Sequence, residues 1–187
     1  MEPLLRRDDA DGGAAMIPVP TTVRVLTAAG TTEREVACAA RIWAGATARR
    51  DDLAAPELWQ GKLAGIRTRL ALPGAVLVVA QDRHGPTGFA VAAPRGSRAE
   101  LFYLAVEPRA WGHGTATALL SAVERWATAI GAVELVLWVL DDNVRAHDVY
   151  ARHGWMPTGE RQHAEPSGRL ERRLRLTLPG RRATSRS

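Results

Sequence analysis

A glycine turn between a strand-like run and a helix-like run is the first part of the sequence that could do chemistry. Residues Trp111 to Ala116 read Trp-Gly-His-Gly-Thr-Ala and follow the apolar run 99–106. Glycines at 112 and 114 let a ligand approach the backbone amides, and the first turn of a helix adds free N–H groups and a positive dipole end. The pattern predicts a phosphate or pyrophosphate site, with a tight turn that binds nothing as the alternative.

Two common phosphate-binding motifs do not account for this turn. It lacks the Gly-Lys-Ser/Thr ending of the P-loop. It also lacks the third glycine of the dinucleotide fingerprint, and it follows the fourth predicted strand rather than the first. The predicted anion site therefore belongs to another architecture.

A second group of residues lies on the next predicted helix. Asn143, Ala146 and Tyr150 are spaced i, i+3 and i+7, which places them on one helical face, and Gly154 and Trp155 follow that helix. Separately, they could be a helix-capping asparagine and a core tyrosine. The combination with the glycine turn, at this separation and in this strand order, is much more specific than either element alone.

The elements that must position these residues alternate along the chain. Hydrophobic periodicity and turn residues predict the order β-α-α-β-β-β-α-β-α-β-β. A β-α-β unit adds strand 133–140 parallel to strand 99–106, while the three strands before the unit form an antiparallel meander. We therefore expect one α/β domain with a mixed sheet at 21–178, after a flexible segment at 1–20 and before a basic disordered tail at 179–187.

Local signals set the expected bounds of several elements. Thr31 or Thr32 caps the first helix, which runs to about Arg50. Pro56 opens the second helix, and Gly131 ends the third. A polar loop is expected between the last two strands, over 161–169.

Composition limits the function classes. The chain has 187 residues, of which 46% are hydrophobic and 24% charged, as in one globular domain and unlike a disordered chain. No apolar run approaches the length of a membrane helix, and the N-terminus shows no secretory signal. Cys38 is the only cysteine, which excludes an internal disulfide and a zinc site built from several thiolates. We expect a cytoplasmic protein that neither binds a membrane nor needs a metal.

The net charge of +5 is carried almost entirely by arginine, since Lys62 is the only lysine. High-GC codon usage would explain this bias, and so would recognition of anions. The residues after Pro179 contain three arginines and no acid, and the rest of the chain is close to balanced. We therefore do not predict nucleic-acid binding from charge.

Over roughly residues 22–178 the sequence resembles the GNAT superfamily of acetyl-CoA-dependent N-acetyltransferases. The pyrophosphate motif of that family, Gln/Arg-x-x-Gly-x-Gly/Ala, corresponds to Trp111–Ala116 and is preceded by a family-like Val-Glu-Pro at 106–108. The second signature, Asn-x-x-Ala-x-x-x-Tyr followed by Gly-Phe, corresponds to residues 143–150 and to Gly154-Trp155. Trp111 stands where the family has Arg or Gln, which removes one possible charged contact and leaves the amide cradle intact.

The resemblance implies the fold, the co-substrate and its binding residues. The central parallel strands would splay apart, and backbone groups of Leu104 and Val106 would hold the acetyl-pantetheine arm of acetyl-CoA like an added strand. Asn143, in the motif with Ala146, would bond the pantetheine, and Tyr150 would point at the thioester sulfur. The pyrophosphate would lie on the amides of Trp111, Gly112, His113, Gly114, Thr115 and Ala116.

The resemblance also implies direct attack of a neutral amine on the acetyl carbonyl. A backbone N–H in the run Leu104, Ala105, Val106 would stabilise the developing oxyanion. Tyr150 is the candidate acid for the leaving thiolate, and its alternative role is only to order the acetyl-CoA. Glu100 is the candidate base, directly or through water, or else a solvated strand-end charge. Simple alternation would place Glu100, Phe102 and Leu104 on one face of their strand and Leu101, Tyr103 and Ala105 on the other.

The acceptor is the open part of this interpretation. The family builds its acceptor pocket from regions that correspond here to 43–59, Phe102, Trp138 and 161–169. We expect a small-molecule amine, of the antibiotic, amino acid or polyamine type. A protein or peptide amine, and a non-catalytic module that only binds acetyl-CoA, are the alternatives. The protein would be a monomer or a homodimer, since the last two strands are expected to expose edges.

Overall fold

The computed structural model describes residues 21–53 and 59–179 and gives them the predicted element order. The predicted flexible segment 1–20, the predicted tail beyond Pro179 and the predicted helix start at Pro56 lie outside the described residues. The helices are α1 (Glu33–Arg50), α2 (Gln60–Leu70), α3 (Thr115–Ala129) and α4 (Val144–Arg152). The strands are β1 (Thr22–Thr27), β2 (Val76–Asp82), β3 (Gly85–Arg95), β4 (Arg98–Val106), β5 (Glu134–Leu140), β6 (Met156–Ala164) and β7 (Arg169–Thr177).

Helix α1 begins as its sequence predicts. The Thr32 hydroxyl accepts a hydrogen bond from the Glu35 amide at 3.3 Å, and the Glu35 carboxylate accepts one from the Thr32 amide at 2.8 Å. This reciprocal capping satisfies two amides that the first turn would otherwise leave unpaired. The same carboxylate oxygen also accepts from the Thr32 hydroxyl, so the start of the helix is fixed from both sides.

The strands form one seven-stranded sheet in the order β1-β2-β3-β4-β5-β7-β6. Every neighbouring pair is antiparallel except β4 and β5, which are parallel. These two central strands pair only from Arg98↔Glu134 to Leu101↔Leu137. Beyond that point they diverge, so the predicted mixed sheet with a splayed parallel pair is confirmed.

A β-bulge in β4 lies where the two strands part. Val91 and Ala92 are consecutive on β3, but they pair with Tyr103 and Leu101 on β4, which leaves Phe102 as an extra residue. A bulge bends its strand and increases the local twist. The bend therefore begins one residue after the last β4–β5 pair.

The bulge makes the predicted facing of β4 wrong from Tyr103 onward, while Glu100 and Phe102 share a face as predicted. Leu101 and Leu104 both pack on the core under α3, whereas Phe102, Tyr103 and Ala105 pack on the core under α1 and α2. Strict alternation assumes one residue per pleat, and the extra residue reverses it. A bulge has no clear mark in a run that is apolar on both faces.

The expected polar loop at 161–169 is also wrong in its bounds. Strand β6 continues to Ala164 and β7 begins at Arg169, so the connection covers only 165–168. Polar residues continue the pairing, with Arg161 opposite Arg172 and Gln162 opposite Glu171. Because β6 is exposed along most of its length, it carries no apolar alternation that the sequence could show. Of the last two strands only β6 is an edge, since β7 lies between it and β5.

Two apolar cores cover the two faces of the sheet. The first lies under α3 and α4 and includes Leu119, Leu135 and Leu137. The second lies under α1 and α2 and includes Ile66, Leu77 and Phe89. Within the described residues, none of the helices is both long enough and apolar enough to cross a membrane.

Gly88 lets helix α3 pack closely against β3 and β4. A Cβ at this position would lie 3.0 Å from the Ala105 carbonyl oxygen, 3.0 Å from Leu119 Cδ1 and 3.1 Å from Thr115 Cγ2. Gly88→Ala should therefore lower the free energy of unfolding by about 1–3 kcal/mol through overpacking, as measured by chemical denaturation.

Gly45 provides the matched control for this substitution. It lies inside α1, and a Cβ built on it would meet nothing within 4 Å. Gly45→Ala should stabilise the protein by roughly 0.5–1 kcal/mol, because alanine loses less backbone entropy on folding. Equal stability of the Gly88→Ala variant and the original protein would contradict the close packing of α3.

Candidate active site

The glycine turn of the sequence becomes a loop of unpaired backbone amides. Gly112 and Gly114 have φ of +82° and +80°, a left-handed conformation that other residues rarely adopt. Within the described residues, no backbone acceptor takes the amides of Gly112, His113 or Gly114. Helix α3 begins directly afterwards, at Thr115, with no side chain capping its amides. The loop therefore presents N–H groups together with the positive end of a helix dipole, as an anion requires.

Trp111 fixes this loop to the end of β4. Its indole N–H donates a hydrogen bond to the Val106 carbonyl oxygen at 2.7 Å. Its ring packs on the core under α3, and the Arg145 guanidinium lies 4.5 Å from the ring centroid. Arg145 is in the first turn of α4, so this cation–π contact brings a positive charge beside the amide loop.

Arg145 is a candidate functional residue that the sequence did not reveal. Among the described residues no carboxylate pairs with it, so its charge is available to a ligand. A signal existed, because Trp111 stands where the resembled motif has Arg or Gln, and a charge lost from that position could have moved to a neighbour. The chain separation of 34 positions hid that neighbour, since only the folded structure places the start of α4 against Trp111.

The gap between β4 and β5 exposes backbone groups at the centre of the sheet. The Glu107 amide bonds to the Thr87 carbonyl at 2.8 Å, toward β3. Since backbone groups alternate in direction along a strand, those of Leu104 and Val106 point the other way, into the gap. The backbone of Ala105 points toward β3, so it cannot serve the gap as Leu104 and Val106 can. Trp111 already engages the Val106 carbonyl, which leaves the Leu104 groups and the Val106 amide.

Helix α4 places the second predicted group beside this gap. The Asn143 side chain caps the helix by accepting from the Ala146 amide at 3.3 Å, and its own amide group has no partner among the described residues. Tyr150 is buried with its ring 5.6 Å from that of Trp155. The capping role considered from the sequence is thus present, and it leaves the amide nitrogen of Asn143 free.

Tyr150 is chemically suited to stay protonated. Burial raises the pKa of its hydroxyl well above the ordinary value of 10.0. The hydroxyl has no hydrogen-bond partner among the described residues. It is not among the buried atoms that lack both a partner and contact with solvent. A neutral phenol can donate a proton or a hydrogen bond to a ligand.

Glu100 lies on the opposite face of the sheet from Tyr150. Its neighbours Ala99 and Leu101 both pack on the core under α3, so the side chain between them points to the face of α1 and α2. Its carboxylate pairs with Arg95 Nε at 3.3 Å, and 22% of the side chain is exposed. The two candidate catalytic residues therefore approach the splayed strands from opposite faces.

Comparison with known proteins gives the family of the chain. Residues 40–155 match the model of the Acetyltransferase (GNAT) family. The chain belongs to that family. No curated protein sequence matches it.

Solved structures of the family show the same fold. A nourseothricin acetyltransferase is 26% identical, with a TM-score of 0.54, over 57% of this chain and 67% of that one. The ribosomal-protein-S18-alanine N-acetyltransferase of Escherichia coli is 18% identical, with a TM-score of 0.67, over 90% and 100%. The PaiA N-acetyltransferase of Thermoplasma acidophilum, in complex with coenzyme A, is 13% identical, with a TM-score of 0.62, over 84% and 99%. The amines that these names imply range from an antibiotic to a protein, so family membership does not fix the acceptor.

In this family member, an arginine bridge joins three elements around the splayed end of the sheet. Arg169, at the start of β7, bonds Asp51 at 3.1 Å and both carboxylate oxygens of Asp142 at 2.7 Å. Asp51 follows α1, and Asp142 precedes the Asn143 cap of α4. Within 21–53 and 59–179, no three His, Cys, Asp or Glu residues are grouped so as to hold a metal ion.

The ion pairs of Asp51, with Arg50 and with Arg169 of the bridge, make part of the stability depend on pH. Hydrogen bonds from Arg50 and then Arg169 hold the pKa of Asp51 at about 2, below its ordinary 3.8. A depressed folded-state pKa gives stability that is complete above about pH 4 and disappears as the pH falls toward 2. Asp51→Asn should therefore cost about 0.5–1 kcal/mol of unfolding free energy at pH 7, and the difference should vanish near pH 2.

Asp52→Asn is the control for this prediction. Asp52 adjoins Asp51 and has no ion pair among the described residues, and asparagine tolerates its positive φ of 52°. Urea unfolding of both variants from pH 2 to pH 7 measures the effect. A constant deficit for Asp51→Asn over the whole range would contradict the ion pairs of Asp51 with Arg50 and Arg169.

Proposed function

We propose that the protein transfers the acetyl group of acetyl-CoA to a primary amine of a small molecule. One observation carries the proposal: the open gap, the loop of unpaired amides and the Tyr150 hydroxyl belong to elements at the same end of the central strands. An extended acyl-pantetheine arm needs the open gap, and a pyrophosphate needs the unpaired amides. A leaving thiolate needs the proton of the Tyr150 hydroxyl. The residues present therefore fit this co-substrate.

Backbone and side-chain groups divide the binding. Leu104 and Val106 would hold the pantetheine arm as an added strand, and the free Asn143 amide would bond the same arm. The amides from Gly112 to Ala116 would hold the pyrophosphate at the start of α3. Arg145 would supply the positive charge that Trp111 cannot.

The reaction then makes three demands on this chain. A backbone N–H of Leu104 or Val106 would stabilise the charge that develops on the carbonyl oxygen. Glu100, directly or through water, would take the proton from the attacking amine. Tyr150 would give a proton to the sulfur that leaves, from the other face of the sheet.

The arginine bridge supports a small acceptor over a peptide. It links the end of α1, the start of β7 and the turn before α4, and these elements surround the splayed end of the sheet. An entrance tied across in this way admits a small amine more readily than a chain segment.

A thiol-release assay with acetyl-CoA tests the proposal. The panel should contain aminoglycoside and streptothricin antibiotics, amino acids, polyamines and peptides with free N-termini. We expect release with at least one small amine. Release only with peptides would reassign the acceptor, and tight acetyl-CoA binding without release for any amine would indicate a binding module instead.

Tyr150→Phe should lower kcat by about 10²-fold or more while changing the affinity for acetyl-CoA little, because only the proton donor is lost. Since burial keeps the hydroxyl protonated, the kcat of the original protein should show no loss from Tyr150 ionisation up to about pH 9. Steady-state kinetics and calorimetric titration measure the two effects. Unchanged kcat would indicate that Tyr150 only orders the acetyl-CoA.

Arg145→Gln should weaken acetyl-CoA binding about 5- to 10-fold, because a positive charge beside the pyrophosphate is removed. It should leave the binding of acetyl-pantetheine, which lacks the pyrophosphate, unchanged. Arg152→Gln is the matched control on the same helix, since its guanidinium bonds only the Asp148 carbonyl among the residues that the structure describes. An equal loss for both ligands would assign Arg145 to the packing of Trp111 alone.

A further inference from the structure

The sheet face on the side of α1 and α2 carries more positive charge than its carboxylates neutralise. Over β5, β7 and β6 this face holds a cavity of about 330 Å³ whose charged walls are Arg98, Glu134, Glu160, Arg173 and Arg175. Two ion pairs cross it: Arg98 Nε lies 2.5 Å from Glu134, and Arg173 lies 2.7 Å from Glu160. The remaining guanidinium of the cavity, Arg175, has no carboxylate partner among the described residues.

An excess of positive charge also lies next to the point where β4 and β5 diverge. The ring of Phe102, the bulged residue of β4, has the Arg69 guanidinium 4.6 Å from its centroid and that of Arg95 at 5.5 Å. Arg95 is neutralised by Glu100. No carboxylate among the described residues pairs with Arg69. Its positive charge is therefore uncompensated next to the point where β4 and β5 separate.

Arg69 is positioned in advance rather than simply exposed. It is half-buried in the last turn of α2, and the cation–π contact with Phe102 restricts its long side chain. A guanidinium that is already oriented loses less entropy when it forms the two parallel hydrogen bonds that a carboxylate accepts. It also lies on the same face as Glu100, the candidate base.

We propose that the acceptor is an amino acid or a similar small amine that carries a carboxylate, and that Arg69 binds this carboxylate. The inference rests on the proposed function and names its substrate class. The carboxylate on Arg69 would hold the amine beside Glu100 at the splay. A polyamine, which has only positive groups, would be repelled by the unpaired charge of Arg69.

Matched substrates test this claim in the full-length protein. The assay compares each amino acid with its decarboxylated amine, for example phenylalanine with 2-phenylethylamine, using acetyl-CoA and thiol release. We expect KM to be at least tenfold lower for the carboxylate-bearing member of the preferred pair. Arg69→Gln should raise that KM at least tenfold, change kcat much less and leave the KM of the decarboxylated amine unchanged.

Two variants keep the result interpretable. Arg67→Gln removes the same charge from the same helix, where Arg67 pairs with Glu33 at the surface, and it should leave both KM values unchanged. Arg69→Lys keeps the charge without the planar fork, and it should recover part of the binding. Equal effects of Arg67→Gln and Arg69→Gln would overturn the local site, since they would reflect the overall charge.

A binding measurement separates this inference from the proposed function. Calorimetric titration of the CoA-loaded protein with a series of N-acetylated amino acids that includes N-acetylphenylalanine, products whose binding needs no turnover, should show affinity that depends on Arg69. Such binding without turnover of any amine would sustain the carboxylate site and refute the acetyl transfer. Turnover of decarboxylated amines as efficient as that of amino acids, with no effect of Arg69→Gln, would refute the carboxylate site and sustain the acetyl transfer.

Discussion

The loss of pairing between β4 and β5 beyond Leu101 and Leu137 is the constraint on which the rest of the site depends. A sheet normally pairs its central backbone groups completely, because an unpaired buried amide or carbonyl costs about 1–3 kcal/mol. Here Leu104 and Val106 present unpaired groups at the middle of a seven-stranded sheet. The bulge at Phe102 makes this geometry possible, since it bends β4 away from β5 one residue after the last pair.

Side chains around the gap take the place of part of the missing backbone pairing and add charge beside it. The Trp111 indole occupies the Val106 carbonyl and at the same time anchors the loop of free amides that begins α3. Arg145 then lies on the Trp111 ring, and Arg69 lies on the Phe102 ring on the other face. An aromatic ring thus holds an unpaired guanidinium on each side of the splay. This arrangement places positive charge at two separate points, one suited to a phosphate and one to a carboxylate.

The arginine-rich composition acquires a meaning only through this placement. Most of the described arginines near the diverging strands form ion pairs with carboxylates, as in the bridge from Arg169 to Asp51 and Asp142. Net charge alone could not distinguish those from Arg145 and Arg69, which rest on rings and have no carboxylate partner among the described residues. The amide loop, in contrast, would bind its predicted ligand through backbone N–H groups, which do not depend on the net charge of the chain.

The sequence predicted those parts of the fold that local rules determine. The Thr32 cap, the turn with Gly112 and Gly114, and the α4 face with Asn143 and Tyr150 each follow from residue type and spacing, and the order of elements followed from periodicity. The bulge at Phe102 could not be read, because a run that is apolar on both faces hides a change of facing. The extension of β6 was missed since its polar residues show no alternation. Arg145 and Arg69 required the tertiary structure, because each meets its ring across more than thirty residues of chain.

The most direct measurement of the central claim is amide hydrogen exchange by NMR, with and without saturating acetyl-CoA. The account predicts that protection increases at Leu104, Val106 and the amides from Gly112 to Ala116, while the edge strand β1 stays unchanged. It also predicts that acetyl-pantetheine protects Leu104 and Val106 but not the loop. Unchanged exchange at both places under saturating acetyl-CoA would contradict the claim that the gap and the amide loop together form the binding site.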